Sequence, residues 1–237
     1  MALRGIHTRR VHNHRNITPA DLLPSEEQDV PSTDASLNPR KDSNSLLKWL
    51  EPNIQHLPHR SKAIAEEAVK KLLGLGYDPD SLWEQEIVWG DHDSFQHVNN
   101  VRYVRFFESG RLKWMSSLGH ELGGHTKASA MLKGKGVSLI LKSLSMDYKA
   151  PVTYPDTLLI AHQPHRDVSE ALKNKAKTHL PVRAVAYSYA QKRIVTASDS
   201  VLVWYDYEKL RPCDPGEEMW AVLEKRIAHG SKSSDTS

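Results

Sequence analysis

A short polar stretch holds the residues of this chain that are best suited to chemistry. Within ten positions it contains two aspartates, two histidines and two asparagines, and the candidates for chemistry among them are Asp91, Asp93, His97, Asn99 and Asn100. An aspartate can attack an electrophilic carbon or activate a water molecule. Where a helix begins directly after such a stretch, its unpaired backbone N–H groups lie beside the carboxylates and can stabilise a developing negative charge. The simpler alternative is an Asp- and Asn-rich helix N-cap without any chemistry.

The residues that follow have the period of a helix with one buried face. Apolar residues and one glycine recur at steps of three or four, namely Tyr103, Phe107, Gly110, Trp114 and Leu118. This spacing places them on one side of a helix, which we expect to end near Leu118. Gly110 lies inside the apolar stripe, where its missing side chain lets the helix backbone approach a sheet closely. Residues 119–136 are expected to form a loop, with a short helix at 128–132.

The pattern of the remaining residues predicts an antiparallel sheet. One strand leads into the polar stretch and four follow the helix, at residues 81–89, 136–150, 157–168, 182–190 and 193–206. In the second of these strands the alternation of apolar residues changes phase at Lys142-Ser143, which indicates a β-bulge. A strand, a long helix and then four strands form an α+β arrangement with an antiparallel sheet.

Further segments flank this unit on both sides. Residues 61–73 have the pattern of a helix that stops at Gly74, and Asp214-Pro-Gly-Glu217 predicts the cap and first turn of a C-terminal helix. The segment before residue 46 has too few large apolar side chains to offset the entropy of ordering, so we expect it to be disordered. We divide the chain into a basic and polar N-terminal segment (1–45), a helical extension (46–80), the α+β domain (81–210) and a C-terminal helix with its tail (211–237).

The polar stretch and the residues after it resemble the signature of hotdog-fold thioesterases of the 4-hydroxybenzoyl-CoA thioesterase type. The family pattern is D-x-D-x-x-G-H-V-N-N-x-x-Y, followed by an aromatic pair and Glu, and plant acyl-ACP thioesterases carry a related segment. This sequence matches the pattern between Asp91 and Tyr103 and again at Phe106-Phe107-Glu108, and it departs at Gln96, where many members have Gly. The resemblance covers about residues 83–206. It implies the hotdog fold, in which an antiparallel sheet wraps around one long helix.

The resemblance also implies a reaction, the hydrolysis of acyl-CoA or acyl-carrier-protein thioesters to a free acid and a thiol. By position in the motif, the catalytic carboxylate is the second aspartate, Asp93, as nucleophile or general base, and the oxyanion donor is the backbone N–H of Asn100. Asp91 is then a residue that stabilises the turn. His97 would hold the attacking water or Asp93, and its alternative role is that of a hydrogen-bonded turn histidine. No cofactor is implied.

Substrate contacts are assigned to Asn99, Tyr103 and Phe107, although Tyr103 is expected in the core and would at best line the acyl pocket. Two other functions stay open, namely a hotdog enoyl-thioester hydratase and a non-catalytic module that binds acyl groups or partners. The D-x-N-P-x-H type of segment of related hydratases is missing from this sequence. Members of the resembled family form dimers with joined sheets and sites between subunits, so the resemblance implies a homodimer or a homotetramer.

Other residues with chemical potential form weaker patterns. His92, His162 and His165 are expected to be surface or turn histidines, because they do not form a metal-binding pattern with a third ligand. The single cysteine, Cys213, excludes an intramolecular disulfide. Five lysines could meet the phosphates of CoA or of a carrier-protein arm: Lys142, Lys149, Lys173, Lys175 and Lys177.

Charge and hydropathy restrict the partners and the location. The net charge of +3 gives no support for nucleic-acid binding, and no apolar run approaches the ~18 residues of a membrane span. Residues 1–20 contain four arginines and no acidic residue, a composition that fits a mitochondrial transit peptide. The alternative is a basic tail on a cytoplasmic protein.

Overall fold

The structure is a computed structural model that describes residues 62–165 and 177–231, and these residues contain a six-stranded antiparallel sheet. The predicted N-terminal segment, residues 1–45, lies outside them. The strands are β1 (Trp83–Ile87), β2 (Val137–Tyr148), β3 (Asp156–Pro164), β4 (His179–Ser188), β5 (Arg193–Asp206) and the short β6 (Arg211–Pro212). Their order is β1-β3-β4-β5-β2, and β6 pairs with the end of β5. The predicted α+β class with an antiparallel sheet is confirmed.

One long helix, α2 (Asn100–Leu132), packs on the inner face of this sheet. The predicted apolar face of the helix is confirmed, since all five of its residues are buried: Tyr103, Phe107, Gly110, Trp114 and Leu118. At Gly110 the helix lies directly on β3. A Cβ atom there would be 2.9 Å from Cε1 of His162 and 3.0 Å from Cγ2 of Ile160, so this helix position has no room for a larger residue.

The predicted end of this helix near Leu118 is wrong. α2 continues to Leu132 and changes direction at Gly123–Gly124, where Gly124 has a φ of +65°. Along a straight helix Gly119 and Ala128 would lie roughly 13 Å apart, yet a Cβ atom at Gly119 would be 2.8 Å from the backbone nitrogen of Ala128. The last turns therefore fold back against the preceding part of the helix. The glycines that suggested a loop instead permit this close contact.

Replacing Gly119 by alanine is expected to lower the free energy of unfolding by about 1–3 kcal/mol, because the new methyl group meets backbone that cannot rotate away. Urea unfolding followed by circular dichroism measures this change. Gly74→Ala is the matched control, since nothing lies within 4 Å of a Cβ atom at that position, and its effect should stay below about 0.5 kcal/mol. Equal free energies of unfolding for the two variants would contradict the prediction.

Strand β2 contains the predicted bulge, because its register with β5 shifts between Leu141 and Ser143. The predicted bounds of β5 are also confirmed. β4 begins at His179, before its predicted start, and so includes Pro181. β3 pairs with β4 only from Val182 onward. Pro181 therefore lies at the end of that ladder, where a missing N–H group is tolerated.

The outer face of the sheet is covered by α1 (Lys62–Gly74), which agrees with the predicted helix to within one residue. Leu159 and Ala161 of β3 pack against α1, whereas Leu158 and Ile160 belong to the cluster under α2. This division follows from the alternation of side chains along a strand. The central strands are thus buried on both faces.

A C-terminal helix, α3 (Glu217–Ser231), follows the last strand. The helix itself was predicted, but its predicted start at Asp214 is wrong. The Asp214 carboxylate accepts hydrogen bonds from the Gly216 N–H and from Nε1 of Trp220, and Gly216 has a φ of +94° that turns the chain before the helix begins. Leu223 is fully buried in a cluster with residues of α2 and β5.

α3 also carries a buried arginine, Arg226, which no sequence pattern indicated. Its guanidinium lies 3.1 Å from Asp78, 3.5 Å from Asp80 and 2.8 Å from Glu121. Nε1 of Trp114 donates a further hydrogen bond to Asp78, at 3.0 Å. Burial lowers the pKa of Arg226, but the three carboxylates outweigh this effect and leave the pKa raised. The network connects the turn after α1 with α2 and α3.

The prediction of a surface or turn position for His162 is wrong. The residue is 2% exposed, packs edge-on against Phe107 and faces Gly110. Burial, together with the positive charge of Arg111, lowers the pKa of His162 to about 3, against the opposing effect of a hydrogen bond to the Phe107 backbone. The imidazole is therefore neutral in the folded protein at neutral pH.

This lowered pKa predicts a loss of stability in mild acid. Between pH 6.5 and about 3 the unfolded chain binds a proton at His162 and the folded chain does not, so the free energy of unfolding falls as the pH falls. Within this range His162 lowers the free energy of unfolding by about 1.4 kcal/mol for each unit by which the pH falls. Urea unfolding at pH 7 and pH 5 should show a smaller pH dependence for His162→Gln than for the unmodified protein. Identical pH dependence in the two proteins would count against the prediction.

Candidate active site

The polar stretch forms a tight turn between β1 and α2. The N–H of Asp93 donates to the carbonyl of His97 at 3.1 Å, and the N–H of Gln96 donates to the carbonyl of Asp93 at 3.0 Å. Gln96 has a φ of +64°, a conformation that glycine adopts without steric cost. It is the position at which the family pattern has Gly, so here a side chain occupies a backbone conformation suited to glycine. The turn places Asp93 opposite His97.

Asp91 anchors this turn, as predicted. Its carboxylate is buried and accepts the N–H of Val88 at 3.0 Å, and its carbonyl accepts the N–H of Asn99 at 2.9 Å. Arg102 lies 3.5 Å from the same carboxylate and donates to the carbonyl of Gly90 at 3.0 Å. The carboxylate of Asp91 is thus engaged in holding the turn against the first turn of α2.

Asp93 has a different environment, since it lines an open groove of about 680 Å³. The residue is half-buried, and its Oδ1 accepts the N–H of Phe95 at 2.9 Å. Within the described ranges, no hydrogen bond or ion pair uses its Oδ2. The carboxylate is therefore oriented by one backbone donor, and its other oxygen has no partner among the described residues. The remaining groove-lining residues carry no Lys or Arg side chain: Trp89, Gly90, His92, Gln96, Thr153 and Tyr154.

One wall of this groove is aromatic, which the sequence did not predict. The Trp89 side chain is 75% exposed and meets the ring of Tyr154 edge-to-face, with 6.2 Å between centroids. Nε2 of His92 accepts the backbone N–H of Tyr154 at 2.7 Å, so the neutral imidazole carries its proton on Nδ1. Trp89 adjoins the motif in sequence and could have been suspected. Tyr154 comes from the loop after β2, and no local pattern connects it with the turn.

α2 begins directly after the turn, with Asn99 as its N-cap. The Asn99 side chain accepts the N–H of Val101 at 3.2 Å, and its carbonyl accepts the N–H of Arg102 at 2.9 Å. Asn100 is the first helical residue and is exposed. Among the hydrogen bonds of the described residues, none uses the Asn100 N–H. This amide is thus an unpaired donor at the positive end of the helix dipole.

The other predicted site residues divide into two groups. His97 is half-buried, its ring stacks on Phe95, and its Nδ1 lies 3.4 Å from the carbonyl of Val98. Tyr103 and Phe107 are buried in the core between α2 and the sheet, and burial raises the pKa of Tyr103 to about 12. Of the predicted site residues Asp93 lines the groove, whereas the other five do not: His97, Asn99, Asn100, Tyr103 and Phe107. Substrate contacts by Asn99, Tyr103 and Phe107 stay predictions.

The lysines predicted to meet phosphate groups have partners within the protein where the structure describes them. Lys149 pairs with Asp147 at 2.8 Å, and Nζ of Lys142 lies 3.1 Å from Nε2 of His179. Lys177 lowers the pKa of Asp214, next to the start of α3, as a minor contribution after the hydrogen bond from the Gly216 backbone. Outside the described residues lie Lys173 and Lys175.

Three further findings concern the described residues as a whole. No group of three His, Cys, Asp or Glu side chains in residues 62–165 and 177–231 is placed to hold a metal ion. Over the same part of the chain, every helix is too short or too polar to cross a membrane. The thiol of Cys213 is free and half-buried.

Comparison with solved structures found several proteins that align with part of this chain. One is the PA5185 protein from Pseudomonas aeruginosa strain PAO1, which is 22% identical, with 64% of this chain and 93% of that chain covered and a TM-score of 0.49. The DHNA-CoA thioesterase from Staphylococcus aureus is 16% identical, with 65% of this chain and 93% of that chain covered and a TM-score of 0.49. The 1,4-dihydroxy-2-naphthoyl-CoA thioesterase from Synechocystis is 13% identical, with 60% of this chain and 93% of that chain covered and a TM-score of 0.47. Comparison with curated protein sequences gave no match.

The sequence profile of the Thioesterase-like superfamily matches residues 87–223, more than half of the chain. The matched region begins at the end of β1 and contains the Asp93 turn, α2, the strands from β2 to β6 and the first part of α3. Its antiparallel sheet, curled around one long helix, has the architecture that the motif implied. The chain therefore has the hotdog fold and belongs to the Thioesterase-like superfamily.

Proposed function

We propose that this protein hydrolyses acyl-CoA or acyl-carrier-protein thioesters to a free acid and a thiol. The observation that carries the proposal is the presence of two suitable groups in the turn that leads into α2. Asp93 lines the groove, and the Asn100 N–H, at the end of the same turn, is without an acceptor among the described residues. Membership of the Thioesterase-like superfamily supports the class of reaction.

Asp93 supplies the attacking oxygen in one of two ways. In the first, its carboxylate adds to the thioester carbonyl, the thiolate leaves, and water hydrolyses the resulting mixed anhydride to regenerate the carboxylate. In the second, the carboxylate takes a proton from water while the water oxygen adds to the carbonyl, and the thiolate leaves. His97, whose carbonyl accepts the Asp93 N–H across the turn, would hold that water. Both routes pass through a tetrahedral intermediate with a negatively charged oxygen.

The Asn100 N–H supplies the second requirement, a donor for this oxygen. A single preorganised donor of this kind typically stabilises a transition state by about 2.7–4 kcal/mol. The dipole of α2 adds to the effect, because its positive end lies at the same place. The Asn99 side chain caps Val101, so the neighbouring amide at Asn100 is left for the substrate.

The groove supports an orientation for the substrate. Asp93 is its one formally charged lining residue, and Trp89 and Tyr154 form an aromatic wall. A carboxylate and two aromatic rings would repel or fail to bind the phosphates of CoA, so the groove suits the acyl group. The nucleotide would then lie outside it.

We further propose that the protein is a homodimer joined through β2. Among the described strands β2 pairs with β5 alone, which makes it an edge strand of this sheet, and it exposes Ile140 and Tyr148 to 41% each. An exposed edge with apolar side chains is a surface that a second sheet can cover. α1 already occupies the outer face over β3, which favours a dimer over a tetramer built through that face. Sedimentation equilibrium should give twice the chain mass of 26.8 kDa.

The test of function is an assay of the purified protein with a panel of acyl-CoAs, in which free thiol and substrate absorbance are followed together. Thiol release with saturable kinetics is the expected result. Addition of water to a crotonyl-type thioester without thiol release would instead identify a hydratase. Saturable binding without turnover across the panel would identify a non-catalytic acyl-binding module.

A further inference from the structure

We propose that Tyr148 is a positioning residue for this site, and that its hydroxyl fixes the first turn of α2 so that the Asn100 N–H points at the reacting oxygen. The inference rests on the proposed thioesterase function. Tyr148 was assigned no role from the sequence beyond its place in a strand. It is the last residue of β2 and lies 48 residues after Asn100.

The contact between the two residues is direct. The Tyr148 hydroxyl lies 3.0 Å from the carbonyl oxygen of Asn100, to which it donates a hydrogen bond, and 3.3 Å from Sδ of Met146, a weaker acceptor. The ring of Tyr148 meets that of Tyr103 at 5.5 Å between centroids and an angle of 71°. Since Tyr103 is buried in the core, the Tyr148 ring rests on a rigid support. The hydroxyl is therefore held in place over the start of the helix.

The contact bears on Asn100 because the first N–H groups of a helix have no intrahelical partner to orient them. The preceding residue, Asn99, is fixed by two backbone hydrogen bonds. The Asn99 N–H donates to the carbonyl of Asp91, and the Asn99 carbonyl accepts the N–H of Arg102. The following peptide group is held by two contacts, since its N–H, that of Val101, donates to the Asn99 side chain and its carbonyl accepts the Tyr148 hydroxyl. The Asn100 backbone thus lies between two fixed peptide groups, one tied to the catalytic turn and one tied to the sheet.

The experiment compares Tyr148→Phe with the unmodified protein in the thiol-release assay. This variant keeps the ring and removes the hydroxyl only. We expect kcat to fall by about 10- to 100-fold, the range for a misplaced oxyanion donor, with KM changed less than twofold. Tyr205→Phe is the matched control, because Tyr205 lies on β5 outside the site, and it should keep the kcat of the unmodified protein.

Two further readouts separate positioning from a general structural role. The Kd of a thioether analogue of the substrate, which lacks the carbonyl oxygen, should be unchanged in Tyr148→Phe. Hydrogen–deuterium exchange should become faster in the peptide spanning residues 98–106 and stay unchanged in β3 and β4. A general structural role would weaken binding of the analogue and raise exchange throughout the sheet, and either result would overturn the proposal.

The outcomes also distinguish this inference from the function on which it rests. If the unmodified protein releases thiol and Tyr148→Phe keeps kcat within twofold, the positioning role is refuted and the thioesterase function stands. If the unmodified protein releases no thiol from any acyl-CoA or acyl-carrier substrate, the proposed function fails and the role of Tyr148 fails with it.

Discussion

Asp93→Asn is expected to reduce kcat for thiol release by about 10³-fold, because an amide is neither a nucleophile nor a base of useful strength. The substitution should leave the fold intact. The oxygen of the asparagine side chain can still accept the N–H of Phe95, the one hydrogen bond that the Asp93 carboxylate makes among the described residues. Steady-state kinetics with the best substrate of the panel measures the effect, and circular dichroism checks the fold.

The control for Asp93 is Asp199→Asn, which removes an equal charge from an exposed carboxylate that pairs with Arg183 on the sheet. This variant should keep kcat and KM within twofold. Asp93→Asn with more than a tenth of the original kcat would show that Asp93 is neither the nucleophile nor the base. The assignment of the groove as the active site would then be wrong as well.

Arg226→Met is expected to lower the free energy of unfolding by about 3–5 kcal/mol, because it leaves the partner carboxylate buried without its counter-charge. The side chains of Arg226 and Asp78 are each 1% exposed, and they lie 3.1 Å apart. Methionine has a similar volume, so the loss comes from the charge and its hydrogen bonds rather than from a cavity. Urea unfolding monitored by tryptophan fluorescence measures it.

An exposed ion pair in the same protein provides the comparison for Arg226. Lys192 lies 3.8 Å from Glu67, with the side chains 57% and 60% exposed. Lys192→Met should lower the free energy of unfolding by less than about 1 kcal/mol. The double variant Arg226→Met/Asp78→Asn should be more stable than the sum of the two single effects predicts, since the residual charge is removed. A loss below about 1 kcal/mol in Arg226→Met would show that the ionic network does not stabilise the fold.

Features that depend on neighbouring positions in the chain could be predicted from the sequence. The buried face of α2 follows from steps of three and four residues, and the bulge at Lys142-Ser143 follows from a change of phase in one strand. The Asp91 turn is predictable for the same reason, because its partners Val88 and Asn99 lie within eight residues of it. The motif also identified the part of the chain that lines the groove.

Features that depend on residues far apart in the chain could not be predicted. Asp78 and Arg226 are 148 residues apart, so neither the turn nor the helix shows by itself that a buried carboxylate will meet a buried guanidinium. Tyr154 and Tyr148 reach the site only because the sheet places the end of β2 beside the start of α2. His162 resembled a polar strand-end residue, and its burial follows from the absence of a side chain at Gly110 on another element.

The helix α1 on the outer face of the sheet determines how much change β3 and β4 can tolerate. An antiparallel sheet commonly leaves one face in water, so alternate positions accept polar residues freely. Here every residue of β3 except Gln163 is buried, and so is every residue of β4 except Arg183. Saturation mutagenesis should therefore find consecutive intolerant positions along these two strands, where an uncovered sheet would show an alternating pattern of tolerance.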